Sequence, residues 1–136
     1  MTPETCILIQ YRLDRAYEAL AEAVLLLDSS HANTGVNRLY YACFYAVSTL
    51  LLTKSLTATS HGGLGTLFHQ HLIRPGLLPL AQGQLYDRLF DQRQRSDYAD
   101  LVHFGVAEVR AWYEEAQAFV ATVAMLIQQA LAAALP

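Results

Sequence analysis

The segment Gly35-Val36-Asn37-Arg38-Leu39-Tyr40-Tyr41-Ala42-Cys43-Phe44-Tyr45-Ala46-Val47-Ser48-Thr49-Leu50-Leu51-Leu52-Thr53-Lys54 decides the fold class. Tyr40, Phe44, Val47 and Leu51 recur at helical spacing and share one face. Arg38, Tyr41, Ala42, Tyr45 and Thr49 make the opposite face, which is also largely apolar or aromatic. A helix that is apolar nearly all round has to be buried. Gly35 to Lys54 therefore reads as the central helix of a bundle.

The flanking sequence supplies its neighbours. A first helix runs from about Thr5 to Asp28, on the stripe Ile7, Tyr11, Leu20, Val24 and Leu27. Asp28, Ser29 and Ser30 end it, and Asn33-Thr34-Gly35 reads as a short turn. Thr59 and Ser60 offer cap oxygens to a third, shorter helix that ends near Leu72. Arg74-Pro75-Gly76 breaks the chain, and Pro79 and Gly83 keep the next stretch irregular or allow only a short helical start. A fourth helix spans about Gln84 to Tyr98 on Leu85, Leu89 and Phe90. A fifth spans about Val106 to Leu135, burying Val109, Trp112 or Tyr113, Ala116, Val120, Val123 and Ile127. No run of alternating β-branched residues competes with this reading. The expectation is one all-α domain over residues 1–136: an antiparallel up-and-down bundle of four long helices and one short one.

Composition narrows the function classes. The chain has 136 residues, 54% hydrophobic and 15% charged, which excludes intrinsic disorder. So small a body cannot easily hide that much apolar surface, so a partner surface is expected. The run Ala118 to Ile127, interrupted by Thr122, is too short for a membrane span of about 20 residues. Met1 to Gln10 has no basic stretch before its apolar residues, so no signal peptide is read. Cys6 and Cys43 lack metal-type spacing and read as reduced thiols of a cytoplasmic protein. The net charge of −3 argues against coating nucleic acid by bulk charge. Eight of the nine basic residues are Arg, which suits bidentate phosphate contacts, although GC-rich codon usage produces the same bias.

The usual signatures of cofactor chemistry are missing. His69 and His71 are two apart and point to different sides of a helix, so no metal site is expected. Gly62-Gly63-Leu64-Gly65 has no Lys-Ser or Lys-Thr after it and is not a phosphate loop. No cofactor is called for. The strongest polar cluster is Asp91-Gln92-Arg93-Gln94-Arg95-Ser96-Asp97-Tyr98. Arg93 and Asp97 share one helix face, and Asp91 and Arg95 share the next. These are either surface ion pairs contributing about 0.3–0.5 kcal/mol each, or a site in which Asp97 orients Arg93 toward a phosphate with Tyr98 beside it. In the second cluster, around Asn37 and Arg38, a buried Arg would need a partner. Arg38 either stays solvated or meets an acidic group such as Asp97.

Three stretches together resemble the HEPN domain family, in its stand-alone prokaryotic branch. They are Asn37 to Ala46, Ser60-His61-Gly62-Gly63-Leu64 with Leu67-Phe68, and Leu89 to Tyr98 with its Arg-x-x-x-Asp-Tyr ending. The resemblance covers roughly residues 8 to 127. It implies a helical bundle that forms a homodimer, with a polar groove at the interface. It also implies a small nucleotidyltransferase partner in a toxin–antitoxin or defence-type pair. Active members of the family carry an Arg, four to six residues, then a His; the RNA's own 2′-hydroxyl attacks and no metal is needed. Here Tyr98 stands where that His would be, and phenol is a poor base at neutral pH. His103 lies beyond the usual interval.

The resemblance thus nominates Arg93, Asp97 and Tyr98 as catalytic or central site residues, and Asn37, Arg38, Tyr41 and Arg95 as ligand-binding residues. The leading expectation is a homodimeric module that binds nucleotide or RNA. One alternative is a metal-independent endoribonuclease; another is a protein-interaction module without a ligand.

Overall fold

The computed structural model describes residues 1–134. Its helices are α1 (Pro3–Asp28), α2 (Ala32–Leu52), α3 (His61–Phe68), α4 (Leu80–Tyr98) and α5 (Val106–Ala133), with no strand among the described residues. A π-helical turn, His69–Ile73, continues α3. The architecture is the expected all-α bundle. Leu135, the expected end of the fifth helix, lies outside the described residues.

Local chemistry sets the ends. Thr2 caps α1 by accepting the Thr5 N–H at 3.1 Å, and Pro3 occupies the first turn, where no N–H is needed. Ser60 caps α3 by accepting the Gly63 N–H at 2.9 Å. The connection between α1 and α2 is only Ser29 to His31, which forces the two helices into an antiparallel pair.

Two boundaries differ from the sequence reading. Asn33-Thr34-Gly35 is the first turn of α2 and not a loop. Asn33 looks like a turn residue because its amide is used elsewhere: it donates to the Val102 carbonyl at 2.8 Å and accepts the Phe104 N–H at 3.0 Å, tying down the α4–α5 connection. Gly35 is small because a Cβ there would sit 3.2 Å from Leu27 Cδ2, where α1 and α2 meet. Likewise α4 begins at Leu80, ahead of the expected Gln84, and runs through Gly83. A Cβ at Gly83 would lie 2.7 Å from His69 Cε1, so glycine lets α4 pack against the π turn.

As expected, α2 is central and packs against α1, α3, α4 and α5. Tyr40, Val47 and Leu51 are fully enclosed, while Phe44 is half-buried. Tyr86, Phe68 and Phe119 stack behind them, with centroids 5.1 Å apart for Phe68–Tyr86. On α1 the true stripe is Ile9, Leu13, Ala16, Leu20, Ala23 and Leu27, an alternation of four and three. Ile7 and Tyr11, which obey the same spacing on a different face, are 71% and 60% exposed. On α5, Val109, Ala116, Val120, Val123 and Ile127 are buried, with Trp112 and Tyr113 half-buried. By length and composition α5 could cross a membrane, contrary to the count from Ala118 to Ile127 alone. Its apolar stripe is nevertheless spent on the bundle core.

Candidate functional site

The site forms where the first turns of α2 meet the last turns of α4. Arg93 and Asp97 stand one helical turn apart, and Arg93 Nε lies 2.9 Å from Asp97 Oδ2. That N–H is not aligned on the oxygen, so the contact is an ion pair without a linear hydrogen bond. Arg93 Nη2 donates to the Tyr41 hydroxyl at 3.0 Å. The Arg93 side chain is only 11% exposed and is held against the rings of Tyr40, Tyr41 and Tyr98, at 5.5, 5.3 and 5.6 Å from their centroids. Arginine's planar cation suits that aromatic cage. Among the described residues, Arg93 Nη1 has no hydrogen-bond partner.

From Asp97 the network runs on through α2 to α1. Asn37 Nδ2 donates to Asp97 Oδ2 at 3.0 Å. Asn37 Oδ1 accepts from Arg38 Nε at 3.1 Å and Nη2 at 2.8 Å. Arg38 Nη1 lies 3.4 Å from Glu22 Oε1, and the guanidinium covers the Tyr41 ring at 5.1 Å. Of the two options for Arg38, the structure chooses an acidic partner, but that partner is Glu22, with Asn37 bridging to Asp97.

Five of the seven nominated residues thus share one connected network: Arg93, Asp97, Asn37, Arg38 and Tyr41. Tyr98 is beside it, 71% exposed at the end of α4. Arg95 is not in it: it accompanies Gln92 at 3.1 Å and covers the Phe104 ring at 5.8 Å. The expected Asp91–Arg95 pair does not form, because Arg95 leans toward the α4–α5 connection. His103 is exposed and makes no hydrogen bond or ion pair with Arg93 among the described residues.

His61, the first residue of α3, also reaches this site, with no role that the sequence pattern assigns to it. Its Nδ1 is 2.7 Å from the Tyr40 hydroxyl. Its ring stacks on Phe44 at 4.4 Å and meets Tyr41 edge-on at 5.8 Å. Partial burial, and then the nearby Arg93 charge, hold its pKa below the ordinary histidine value. Burial pushes the Tyr40 phenol up to about 12, so it stays protonated. A cavity of about 520 Å³ on one side of His61 is lined by Arg12, Arg15, Phe44 and Tyr45. A second, of about 360 Å³, is lined by His61, His69, Tyr86, Asp87 and Phe90. The sequence signal was a histidine just after a helix cap and before two glycines; its link to Arg93 runs through α2 and was not visible.

Among the described residues, no group of three or more His, Cys, Asp and Glu side chains is placed to hold a metal ion. Cys43 is enclosed and burial pushes its thiol pKa up, so it is inert.

A family model of the HEPN domain matches residues 9–129, which takes in the whole network. The chain belongs to the HEPN family. It is 37% identical over 121 residues to a UPF0332 protein of Thermotoga maritima, covering 89% of this chain and 92% of that protein. It is 34% identical over 131 residues to a UPF0332 protein of Gloeobacter violaceus, covering 96% of each. A protein of Methanocaldococcus jannaschii named as a candidate toxin is 30% identical over 90 residues, covering 66% of this chain and 67% of that protein. The resemblance seen in the sequence motifs is therefore a family membership, and this HEPN chain carries its Arg-x-x-x-Asp-Tyr segment on α4.

Proposed function

We propose that this HEPN chain is a toxin-type module that binds RNA or a nucleotide phosphate at Arg93, as a cytoplasmic homodimer paired with a small nucleotidyltransferase. The observation that carries this reading is the state of the Arg93 guanidinium. Asp97 and Tyr41 fix it through Nε and Nη2, an aromatic cage surrounds it, and Nη1 is left for a ligand. Asp97 already balances the charge of this nearly enclosed cation, so what remains for a ligand is the hydrogen-bonding capacity of Nη1. Phosphate is the anion that an Arg between tyrosines, beside surfaces on which bases can stack, is built to take. The toxin name of the archaeal relative points the same way.

The homodimer is supported by the apolar residues that α1 leaves outside the core. Ile7, Tyr11 and Leu25 fall on one strip of that helix and are 71%, 60% and 68% exposed. The test of ligand binding is fluorescence anisotropy with a labelled single-stranded RNA and with ATP, comparing the parent with Arg93→Ala. Loss of binding by at least about tenfold is expected for one hydrogen-bonded charge contact, measured below the melting transition of both proteins because Arg93→Ala also loses the Asp97 and Tyr41 contacts. Equal binding by the two proteins would remove the assignment.

A second reading, metal-independent cleavage of RNA, draws on the same cation. An Arg held by its neighbours can stabilise charge that develops on a scissile phosphate. This reading predicts cleavage in excess EDTA that leaves 2′,3′-cyclic phosphate ends and is lost in Arg93→Ala.

A further inference from the structure

The ribonuclease reading leaves one role unfilled. Arg93 can hold a phosphate, but Tyr98, at the place of the family's histidine, is a phenol and cannot take a proton efficiently at neutral pH. The structure assigns that role to His61 of α3, whose Nε2 accepts the 2′-hydroxyl proton of an RNA bound at Arg93. This inference rests on the ribonuclease reading.

Position comes first. His61 and Arg93 approach the same two rings from different helices: Tyr40 at 5.8 and 5.5 Å, and Tyr41 at 5.8 and 5.3 Å. The imidazole and the guanidinium thus flank the same pair of rings, and the Arg93 charge reaches the imidazole, although the two residues are far apart in the chain. Its orientation is also fixed. Nδ1 is engaged by the Tyr40 hydroxyl at 2.7 Å, and the ring is stacked on Phe44. The 2.7 Å contact fits either direction of donation; we place the proton on Nδ1, donated to the Tyr40 oxygen, which leaves the lone pair on Nε2, the arrangement a general base needs. Nε2 has no partner among the described residues, and two cavities meet at the ring.

The surroundings keep the ring neutral and ready. Tyr40 and Tyr41 face it from α2 and Arg93 from α4. Across the smaller cavity, Asp87 is already taken by His69 at 2.9 Å, and Arg74 adds positive charge. Across the larger one stand Tyr11, Arg12 and Arg15 of α1. Burial, and then the Arg93 charge, oppose protonation of the ring.

The step balances as follows. Nε2 takes the proton of the ribose 2′-hydroxyl, and the 2′-oxygen forms a bond to phosphorus. The bond from phosphorus to the 5′-oxygen breaks, and its electron pair leaves with that oxygen, which takes a proton from water. The products are a 2′,3′-cyclic phosphate and a 5′-hydroxyl. The imidazolium then returns its proton to solvent. Arg93 Nη1 faces the charge on the non-bridging oxygens, and Tyr40 accepts the Nδ1–H of the charged ring.

The experiment uses the full chain and a mixed-sequence, end-labelled single-stranded RNA in excess EDTA, from pH 5 to pH 8. His61→Gln is expected to lower the cleavage rate about 100- to 10,000-fold, the usual worth of a positioned base. It should bind the same RNA as the parent does and remain folded at the assay temperature by circular dichroism, although the Tyr40 hydrogen bond and the Phe44 stack are lost. The parent's rate should rise with pH through a midpoint below the ordinary histidine value. Tyr40→Phe should move that midpoint lower still, because a hydrogen bond to the charged ring is lost. Parental cleavage by His61→Gln, with Arg93→Ala inactive, would overturn the His61 assignment and leave the ribonuclease reading standing. No cleavage by the parent, or equal cleavage by Arg93→Ala, would overturn the reading itself and the assignment with it.

Discussion

Asn37 on α2 donates its side-chain amide to Asp97 on α4, with 3.0 Å between Nδ2 and Oδ2. The same amide's oxygen accepts two nitrogens of Arg38. One neutral side chain thus separates a cation from an anion and satisfies both. It holds the Asp97 carboxylate where Arg93 needs it.

Asn37→Ala removes both halves of that bridge. Arg38 keeps only Glu22, at 3.4 Å, and Asp97 loses its link to α2. We expect a loss of about 1–3 kcal/mol in unfolding free energy, the cost of leaving partly buried polar groups unmatched. Urea denaturation followed by circular dichroism measures it. A change within about 0.3 kcal/mol would mean that water replaces the amide without penalty.

Tyr41→Phe tests the other hold on Arg93. The ring and its contact with the cation remain, and only the hydroxyl that accepts Nη2 is lost. A stability loss of about 0.5–1.5 kcal/mol is expected. RNA affinity should fall with it, because the guanidinium is less well fixed. Denaturation and anisotropy on one preparation separate the two effects. Unchanged affinity would show that Asp97 alone positions Arg93.

Gly83→Ala and Gly62→Ala should differ in sign. The new Cβ at position 83 meets His69 Cε1 at 2.7 Å and Ile73 Cγ1 at 3.1 Å, and the His69 ring is tied to Asp87. Overpacking there should cost about 1–3 kcal/mol. At Gly62 nothing lies within 4 Å, and the residue is helical, so Ala should stabilise by about 0.4–1 kcal/mol. Melting temperatures decide both. A stabilised Gly83→Ala would mean that His69 moves aside freely.

Acidification should destabilise the fold through His61. Its folded pKa is lowered by burial and by Arg93, so below pH 6.5, the ordinary value, the unfolded chain takes up the proton more readily. Stability is therefore retained above about pH 6.5 and falls as pH drops from there through the folded pKa. Urea midpoints at pH 7.5 and 5.5 should differ less in His61→Gln than in the parent. An identical pH dependence would place the acid sensitivity elsewhere.

Much of the site was legible because it is local. Arg93 and Asp97 are one turn apart on a helix, so their pairing follows from helical geometry alone. Asn37 and Arg38 are adjacent, and a charged residue on a nearly apolar helix advertises a partner. The Asp91–Arg95 pairing shows the limit of local spacing: the helical interval is right, but Arg95 lies over Phe104, which arrives from a connection the pattern does not describe. Ile7 and Tyr11 lie outside the core because two strips of α1 satisfy the same spacing, and packing against α2 and α5 selects the one through Ile9 and Leu13.

The amino-acid sequence by itself determined the helices, the burial of α2 and the Arg–Asp pair, since each depends on side chains within a turn or two of one another. The tertiary structure alone decided that Glu22 is the partner of Arg38, that Asn37 reaches Asp97, and that His61 and Arg93 share the rings of Tyr40 and Tyr41. These are contacts between helices. Their geometry is set by how α1, α3 and α4 pack around α2, through close approaches such as Gly35 on Leu27 and Gly83 on His69. Periodicity along one helix carries no information about which residue of another helix will face it.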